Sequence, residues 1–492
     1  MSSTVVSAPG KVLIAGGYLV LDQKYSGIVV STSSRFYTVI QPAQGRSFQI
    51  RVRSPQFEAA VWTYAVHLDT ELDVRQTSEL SSKNKFVQLA LHRTLQLALE
   101  MKGEAHFRHV LNDGLEIAIM GDNDFYSQRA KLAELNLVPL IASLAKIPPF
   151  TPTGVKLADV HKTGLGSSAA LITSLVAALL LHLGVIPPSA LDSVQNEGRA
   201  LVHNTAQYIH CLAQGKVGSG FDVSSAVFGS QLYTRFDPAV IKGLMSDNAT
   251  NTPLLPVLSP SNNAWDYRVA PFKLPPQTRL MLADIDAGSD TPSLVGQVLR
   301  WRTSQPAEAN AFWDQLSESN DALCRTLLRL SELSDEDTKA YTSCVKYLSS
   351  LQPLQWVANP HASPHDARFA QTFYEAHRLT EDIRSRMREM GRLSDVPIEP
   401  PEQVALLDAC MSQAGVIGGG VPGAGGYDAI WLLVLDPSVS SPEDRPLSRV
   451  ERVWTSWKAL DVSPLSATES LEKGLRLEQI DNVPGMRAAL GQ

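Results

Sequence analysis

The stretch Lys162-Thr163-Gly164-Leu165-Gly166-Ser167-Ser168-Ala169 places glycines, hydroxyls and a lysine directly before a long apolar run. Glycine lets a backbone turn with no Cβ in the way, so consecutive N–H groups can face one ligand. A helix beginning there points its free N–H groups and positive dipole end into the loop, and phosphate is the ligand that best matches. The serines suit a helix N-cap, and a serine hydroxyl at a phosphate site can also ligate Mg²⁺. A capped, buried helix that holds nothing is written with the same residues, so this motif alone leaves both readings open. It is neither a Walker A loop, which needs G-x-x-x-x-G-K-[ST], nor a G-x-G-x-x-G fingerprint.

Other stretches add to it. In Ser7–Tyr18, Lys11 stands between a Pro-Gly turn and an apolar strand, a place that disfavours lysine unless an edge or a partner explains it. Gly418–Asp428 holds six glycines within nine residues, more than a turn needs; close approach of backbone to a ligand is the usual physical reason. Gly215–Asp222 sets a carboxylate after a glycine-serine turn, either for chemistry or simply to cap the next helix.

Elements must hold these residues in place. Alternating or β-branched patterns predict strands at Val12–Ala15, Ile28–Ser31, Tyr37–Gln41, Phe48–Val52, Leu115–Met120, Gln231–Phe236, Arg279–Ile285 and Ala429–Leu435. Helical spacing predicts helices over Lys85–Glu100, after Gly166, over Ala190–Ala213, through a block from Leu294 to Arg392 broken near 350–364, and over Gln403–Ala414. Phe221–Phe228 reads as a short helix or loop. The apolar run Ala169–Leu183 is fifteen residues long against the roughly 20 of a membrane span, so a buried helix is expected. The mixture is α+β. A chain of 492 residues exceeds one ordinary core, and the expected division is 1–240, a linker at 241–275 where periodicity is lost, and 276–492.

Bulk properties narrow the function. With 44% hydrophobic and 19% charged residues the chain is a globular protein, and its net charge of -7 gives no sign of a nucleic-acid or membrane-surface binder. Any anionic ligand must be met by local basic groups. The four cysteines contain no C-x-x-C pair, which argues against a disulfide framework and for a reducing compartment. The first residues lack a secretory signal pattern, and a cytoplasmic protein is expected.

In this order in one chain, the motifs resemble the GHMP small-molecule kinases, named for galacto-, homoserine, mevalonate and phosphomevalonate kinases. SAPGKVLIAGGYLVLD is similar to the first family motif, KTGLGSSAALITS to the second and VPGAGGYDAIWLLVL to the third. AQGKVGSGFDVSSAVFGS, ADIDAGSDTPSLVGQVLRW and IEPPEQVALLDAC resemble the phosphomevalonate kinases of fungi in particular. The likeness covers nearly the whole chain apart from 241–266 and the tail after 437. It implies a two-domain α+β fold, with an N-terminal mixed β/α ATP-binding domain, a C-terminal ferredoxin-like α/β sandwich and ATP in the cleft between them. It implies ATP and Mg²⁺ as cofactors and phosphomevalonate as acceptor, in the mevalonate route to isoprenoids and sterols. No nucleic acid or membrane partner is implied, and monomer or dimer stays open.

The same resemblance implies roles. Lys162, Gly164, Leu165, Gly166, Ser167, Ser168 and Ala169 would hold the ATP phosphates, with Asn84 near the nucleotide and Ser168 as Mg²⁺ ligand. Asp222 matches the catalytic aspartate and Lys11 the active-site lysine. Tyr18, Lys216, Ser219, Gly220, Ser289, Thr291 and the loop Gly423, Ala424, Gly425 and Gly426 would serve the acceptor. A phosphate acceptor, with its second pKa near 6, needs a base less than an alcohol does and needs cations more. Lys162 and Lys216 beside Lys11 fit that demand, although solvated surface lysines would be written the same way. An alcohol-accepting relative, most plausibly a mevalonate kinase, and a non-catalytic ATP or metabolite sensor are the alternatives. Mevalonate kinases carry a glutamate ahead of the aspartate as a second metal ligand; here that neighbourhood is Gln207, His210 and Cys211, with Glu197 farther off. No acidic ligand is placed, and His210 reads as a helix-packing residue.

Overall fold

Residues of the second strand alternate for longer than their serines suggest. β1 (Thr4–Ala15) runs antiparallel to β2 (Ser26–Pro42), a single strand of 17 residues where two shorter ones are expected from sequence. Its Ser-rich middle looks like a break, yet β1 pairs with both halves, so the chain has no cause to turn. In this computed structural model, residues 3–69, 71–77, 82–246, 252–285, 291–358, 367–437 and 441–492 are described.

Around β2 grows a nine-stranded sheet with β3 (Gln49–Arg53), β4 (Val61–Leu68), β5 (Leu72–Gln76), β6 (Leu115–Gly121), β7 (Gln231–Thr234), β8 (Arg268–Pro271) and β13 (Arg476–Leu477). The order is β13-β1-β2-β6-β3-β4-β5, with β7 joining the first half of β2 and β8 joining β7; only β3 and β6 are parallel. Helices α1 (Lys85–Lys102), α2 (Ser167–His182), α3 (Glu197–Gln214) and α4 (Phe221–Phe228) pack with this sheet. α2 is apolar all round because β1 and β2 cover one side and α1 and α3 the other. It is the buried helix expected, and among the described residues no helix is long and apolar enough to cross a membrane. α3 starts at Glu197, later than expected, because Asn196 caps it by accepting the Gly198 N–H at 2.8 Å.

The second sheet is antiparallel and ordered β10-β11-β9-β12, from β9 (Thr278–Ile285), β10 (Val416–Gly420), β11 (Ala429–Leu435) and β12 (Val462–Leu465). This is the ferredoxin-like order, and with the first sheet it makes the expected two-domain α+β architecture. Between β9 and β10 lie α5 (Thr291–Ser304), α6 (Pro306–Glu336), α7 (Ala367–Ser394) and α8 (Pro401–Met411); α9 (Pro446–Ser456) precedes β12. Pro306, Pro401 and Pro446 each open a helix, where a missing N–H costs nothing. One apolar core runs from β1 and α2 through Trp313 of α6 to Phe373 of α7.

Sequence and structure also part company over the three segments that follow. Gly418, Gly419 and Gly420 are not loop residues but lie buried in β10. A Cβ on Gly418 would come 2.4 Å from Thr380 Oγ1 of α7, so glycine lets the helix seat on the strand. The stretch expected as a linker packs on the first sheet's side: Leu254 and Leu258 are fully buried, and Glu100 of α1 accepts the N–H groups of Leu254 and Leu255 at 2.9 and 2.8 Å. Its elements are too short to show a period. The tail, which carries no clear pattern, returns to the first sheet as β13, pairing Val6 with Leu477 and Ser7 with Arg476.

Arg199 holds that return in place. Fully buried on α3, its guanidinium donates to the carbonyls of Val227 (2.6 Å), Lys473 (2.7 Å), Leu475 (2.9 Å) and Leu191. Removing the guanidinium takes a charged donor from all four carbonyls, of which Val227 O retains the Leu475 N–H at 3.2 Å. Arg199→Met is therefore expected to lower the free energy of urea unfolding by about 3 kcal/mol or more and to expose residues 466–492 to limited proteolysis; a tail as resistant as the wild type's would reject this clamp.

Candidate active site

Lys11 gives both its donors to one loop. Its backbone N–H donates to Leu165 O at 2.9 Å and its Nζ donates to Gly164 O at 2.8 Å. β1 bulges between Pro9 and Lys11 to make this approach, and a Cβ on the intervening Gly10 would lie 2.9 Å from Leu165 O. Burial pulls the Lys11 pKa down, while the charges of Asp222 and Asp428 push it back up.

The loop itself depends on Gly164 and Gly166, both left-handed at φ +77° and +80°. The serines were the expected caps, but Gly166 takes the N-cap position and no side chain bonds the first turn of α2. Ser167 and Ser168 instead begin the helix. The first-turn N–H groups stay open toward the loop, the arrangement that suits an anion.

Ser168 Oγ lies 3.1 Å from Nε2 of His210 on α3, whose ring is buried. The same nitrogen is 3.9 Å from Asp222 Oδ2. Asp222 sits in the first turn of α4, and its Oδ1 accepts the Val223 N–H at 2.9 Å. Gly220 makes the turn into α4 at φ +85°, where a Cβ would meet Tyr233 Oη at 2.8 Å and Gln207 Oε1 at 2.9 Å. A hydroxyl and a carboxylate thus converge beside the loop; these hard oxygens fit Mg²⁺, which keeps several waters. Among the described residues no cluster of three His, Cys, Asp or Glu is placed to hold a metal, so a bound Mg²⁺ would have few protein ligands here.

The facing side of the cleft comes from the second domain. Tyr18 Oη donates to Ala424 O at 2.6 Å, and a Cβ on Gly17 would lie 2.5 Å from Gly423 O. Gly425 is seated on Ile398, whose carbonyl accepts the Gly426 N–H at 2.8 Å. Next to Ile398, Glu399 forms a buried ion pair with Arg384 at 2.6 Å and a second with Arg388 at 3.1 Å. Between the two sides is a cavity of about 190 Å³, bordered by Lys11, Tyr18, Gly164, Ser219, Phe221, Val295 of α5, Gly423–Gly425 and Asp428.

Of the residues singled out by sequence, Lys11, Tyr18, Gly164, Ser219, Gly423, Ala424 and Gly425 meet at this cavity. Leu165, Gly166, Ser167, Ser168 and Ala169 form the adjoining loop and helix start. Lys162 and Lys216 are exposed and do not border it. Asn84 caps α1, accepting the Val87 N–H at 3.2 Å, two residues before Phe86, whose ring faces His210 at 6.4 Å. Thr291 opens α5, and Ser289 lies outside the described residues. Two participants escaped the sequence. Asp428 stood within a glycine motif that drew attention to its glycines alone. His210 was read as packing, and only the fold shows that its neighbours are Ser168 and Asp222.

Comparison with known proteins agrees with this layout. The GHMP kinases C terminal family matches residues 374–459. The chain is 39% identical over 466 residues to the peroxisomal phosphomevalonate kinase of Arabidopsis thaliana, covering 89% of this chain and 90% of that one. It is 34% identical over 495 residues to a phosphomevalonate kinase of Gibberella zeae, covering 98% of each. Among solved structures, Streptococcus pneumoniae phosphomevalonate kinase in complex with phosphomevalonate and AMPPNP shares the fold, with a TM-score of 0.56 at 15% identity over 96% of this chain and 100% of that one. A Listeria innocua protein gives a TM-score of 0.61 at 15% identity over 97% and 100%.

A Cβ on Gly166 would stand 3.0 Å from Lys11 Cε, in a backbone conformation that side chains rarely adopt. Gly166→Val is accordingly expected to abolish ATP binding in a nucleotide titration, and a normal Kd would sink the phosphate-loop assignment.

Proposed function

We propose, for a chain that belongs to the phosphomevalonate kinases of the GHMP family, that ATP and phosphomevalonate meet at Lys11. The enzyme transfers the γ-phosphoryl group of ATP to the phosphate of phosphomevalonate, yielding ADP and diphosphomevalonate. Both reactants are anions, so their approach must be offset by fixed positive charge and oriented donors. The acceptor oxygen is already largely ionised at pH 7, and the protein is left with positioning and charge neutralisation.

The observation that carries the assignment of roles is the position of Lys11. It closes the glycine loop on one side and borders the inter-domain cavity on the other. The open N–H groups of Ser167, Ser168 and Ala169 receive the ATP phosphates in this reading, with Gly164, Leu165 and Gly166 shaping the loop. Lys11 bridges the transferring group and the acceptor phosphate. Asp222 orients Lys11 and steadies its charge against burial. Ser168 Oγ, with Asp222 beside it, would hold Mg²⁺, which when bound neutralises charge on the phosphate oxygens. Tyr18, Ser219, Gly220, Ser289, Thr291 and Gly423–Gly426 serve phosphomevalonate. Lys162 and Lys216, on the exposed rim, draw both anions inward by longer-range attraction. Asn84 supports the nucleotide side by fixing the start of α1. The four free, buried thiols support a cytoplasmic site of action.

Lys11→Ala and Asp222→Asn are each expected to lower kcat by about 10²-fold or more while leaving the Kd for ATP nearly unchanged. Undiminished turnover in either variant would remove that residue from the mechanism. With the wild-type enzyme, ADP release is expected with phosphomevalonate and not with mevalonate; the reverse pattern would overturn the acceptor.

A further inference from the structure

The imidazole of His210 is buried. Its Nε2 has Ser168 Oγ at 3.1 Å and Gln214 Nε2 at 3.2 Å. Ring nitrogens take their role from the tautomer; with the ring proton on Nδ1, Nε2 presents a single lone pair, to which the Ser168 hydroxyl donates. A hydroxyl has one proton and two lone pairs; with the proton committed to His210, both lone pairs of Ser168 are turned away from α3. Asp222 Oδ2 lies 3.9 Å from the same nitrogen, beyond hydrogen-bond reach. Phe86 of α1 closes the remaining side of the ring. The chain thus has an imidazole in the neighbourhood where mevalonate kinases, which its motifs resemble, carry a glutamate.

We infer that His210 is a positioning residue, which fixes the Ser168 hydroxyl so that its lone pairs are presented to a divalent cation beside the phosphate loop. The inference rests on the reading of Ser168 as a metal ligand. His210 itself takes no part in ligation: it acts one bond further out, as a partner that orients a ligand and raises its donor quality.

Packing and positioning make opposite demands at this site. A packing role needs a ring and no acceptor; a positioning role needs an acceptor and no ring. His210→Phe keeps the ring, and His210→Gln can offer Oε1 where Nε2 stood. The readout is the affinity for ADP, measured by calorimetry with Mg²⁺ and with chelator, in the wild type, Ser168→Ala, His210→Phe and His210→Gln. His210→Phe is expected to lose about tenfold of the metal-linked gain in affinity, with metal-free ADP binding unchanged, and His210→Gln to recover most of it. In the Ser168→Ala background, His210→Phe should cause no further loss. Metal-linked affinity intact in His210→Phe, or lost equally in His210→Gln, would overturn the inference. If Ser168→Ala itself leaves that affinity intact, the metal-ligand reading of Ser168 falls, and this inference with it. If Ser168→Ala loses it while His210→Phe does not, only the role of His210 falls. Should His210→Phe fail to fold, His210→Leu, which also lacks an acceptor, replaces it with the same expected loss.

Discussion

Two hydrogen bonds from one residue organise this molecule. Lys11 donates its backbone N–H and its ammonium to successive carbonyls of the glycine loop, so strand and loop cannot move independently. The bulge in β1, the missing Cβ at Gly10 and the left-handed Gly166 all follow from bringing these segments into contact. A lysine so placed is costly to bury, and Asp222 and Asp428 offset that cost from the two domains. The cation is therefore shared between the halves of the protein, and the cleft exists where that sharing occurs.

At the cleft, backbone comes into close contact. Gly17 meets Gly423, Tyr18 meets the carbonyl of Ala424, and Gly425 rests on Ile398. Loops of this glycine content would ordinarily be soft. Here the support behind them is stiff, because the Arg384–Glu399 pair is buried and hydrogen-bonded on several sides. Partnerless, either ion would be strongly unfavourable in that environment. The pair thus favours one arrangement of the segment on which Gly425 and Gly426 sit.

Much of this was legible beforehand, and the reasons are specific. Glycine at Gly164 and Gly166, an all-apolar α2 and a lysine in β1 each violate an ordinary preference, and such violations mark function in a single sequence. The ferredoxin-like sheet followed from resemblance, not from periodicity. Strands β4, β5 and β12 went unseen because they are short and their patterns weak. Lys162 and Lys216 looked like part of the cationic site since spacing along the chain cannot tell which side of a loop a long side chain takes; both are exposed. The role of His210 was hidden for the opposite reason: helical position announced burial, but the identity of its polar neighbours comes from α2 and α4, over 40 and 10 residues away in sequence.

The return of the tail to the first sheet bears on how the protein is made. β13 lies along β1 at Val6 and Ser7, and Arg199 reaches carbonyls at 473 and 475. A nascent chain emerges N-terminus first, at about 5–20 residues per second. The strand that carries Lys11 thus leaves the ribosome well before β13, and the edge that β13 covers stays unpaired for on the order of tens of seconds until β13 has followed. An open strand edge is a template for pairing with other chains. During synthesis, the half that carries the glycine loop therefore has an edge open to mispairing, and its protection falls to chaperones or to transient cover by its own neighbouring strands.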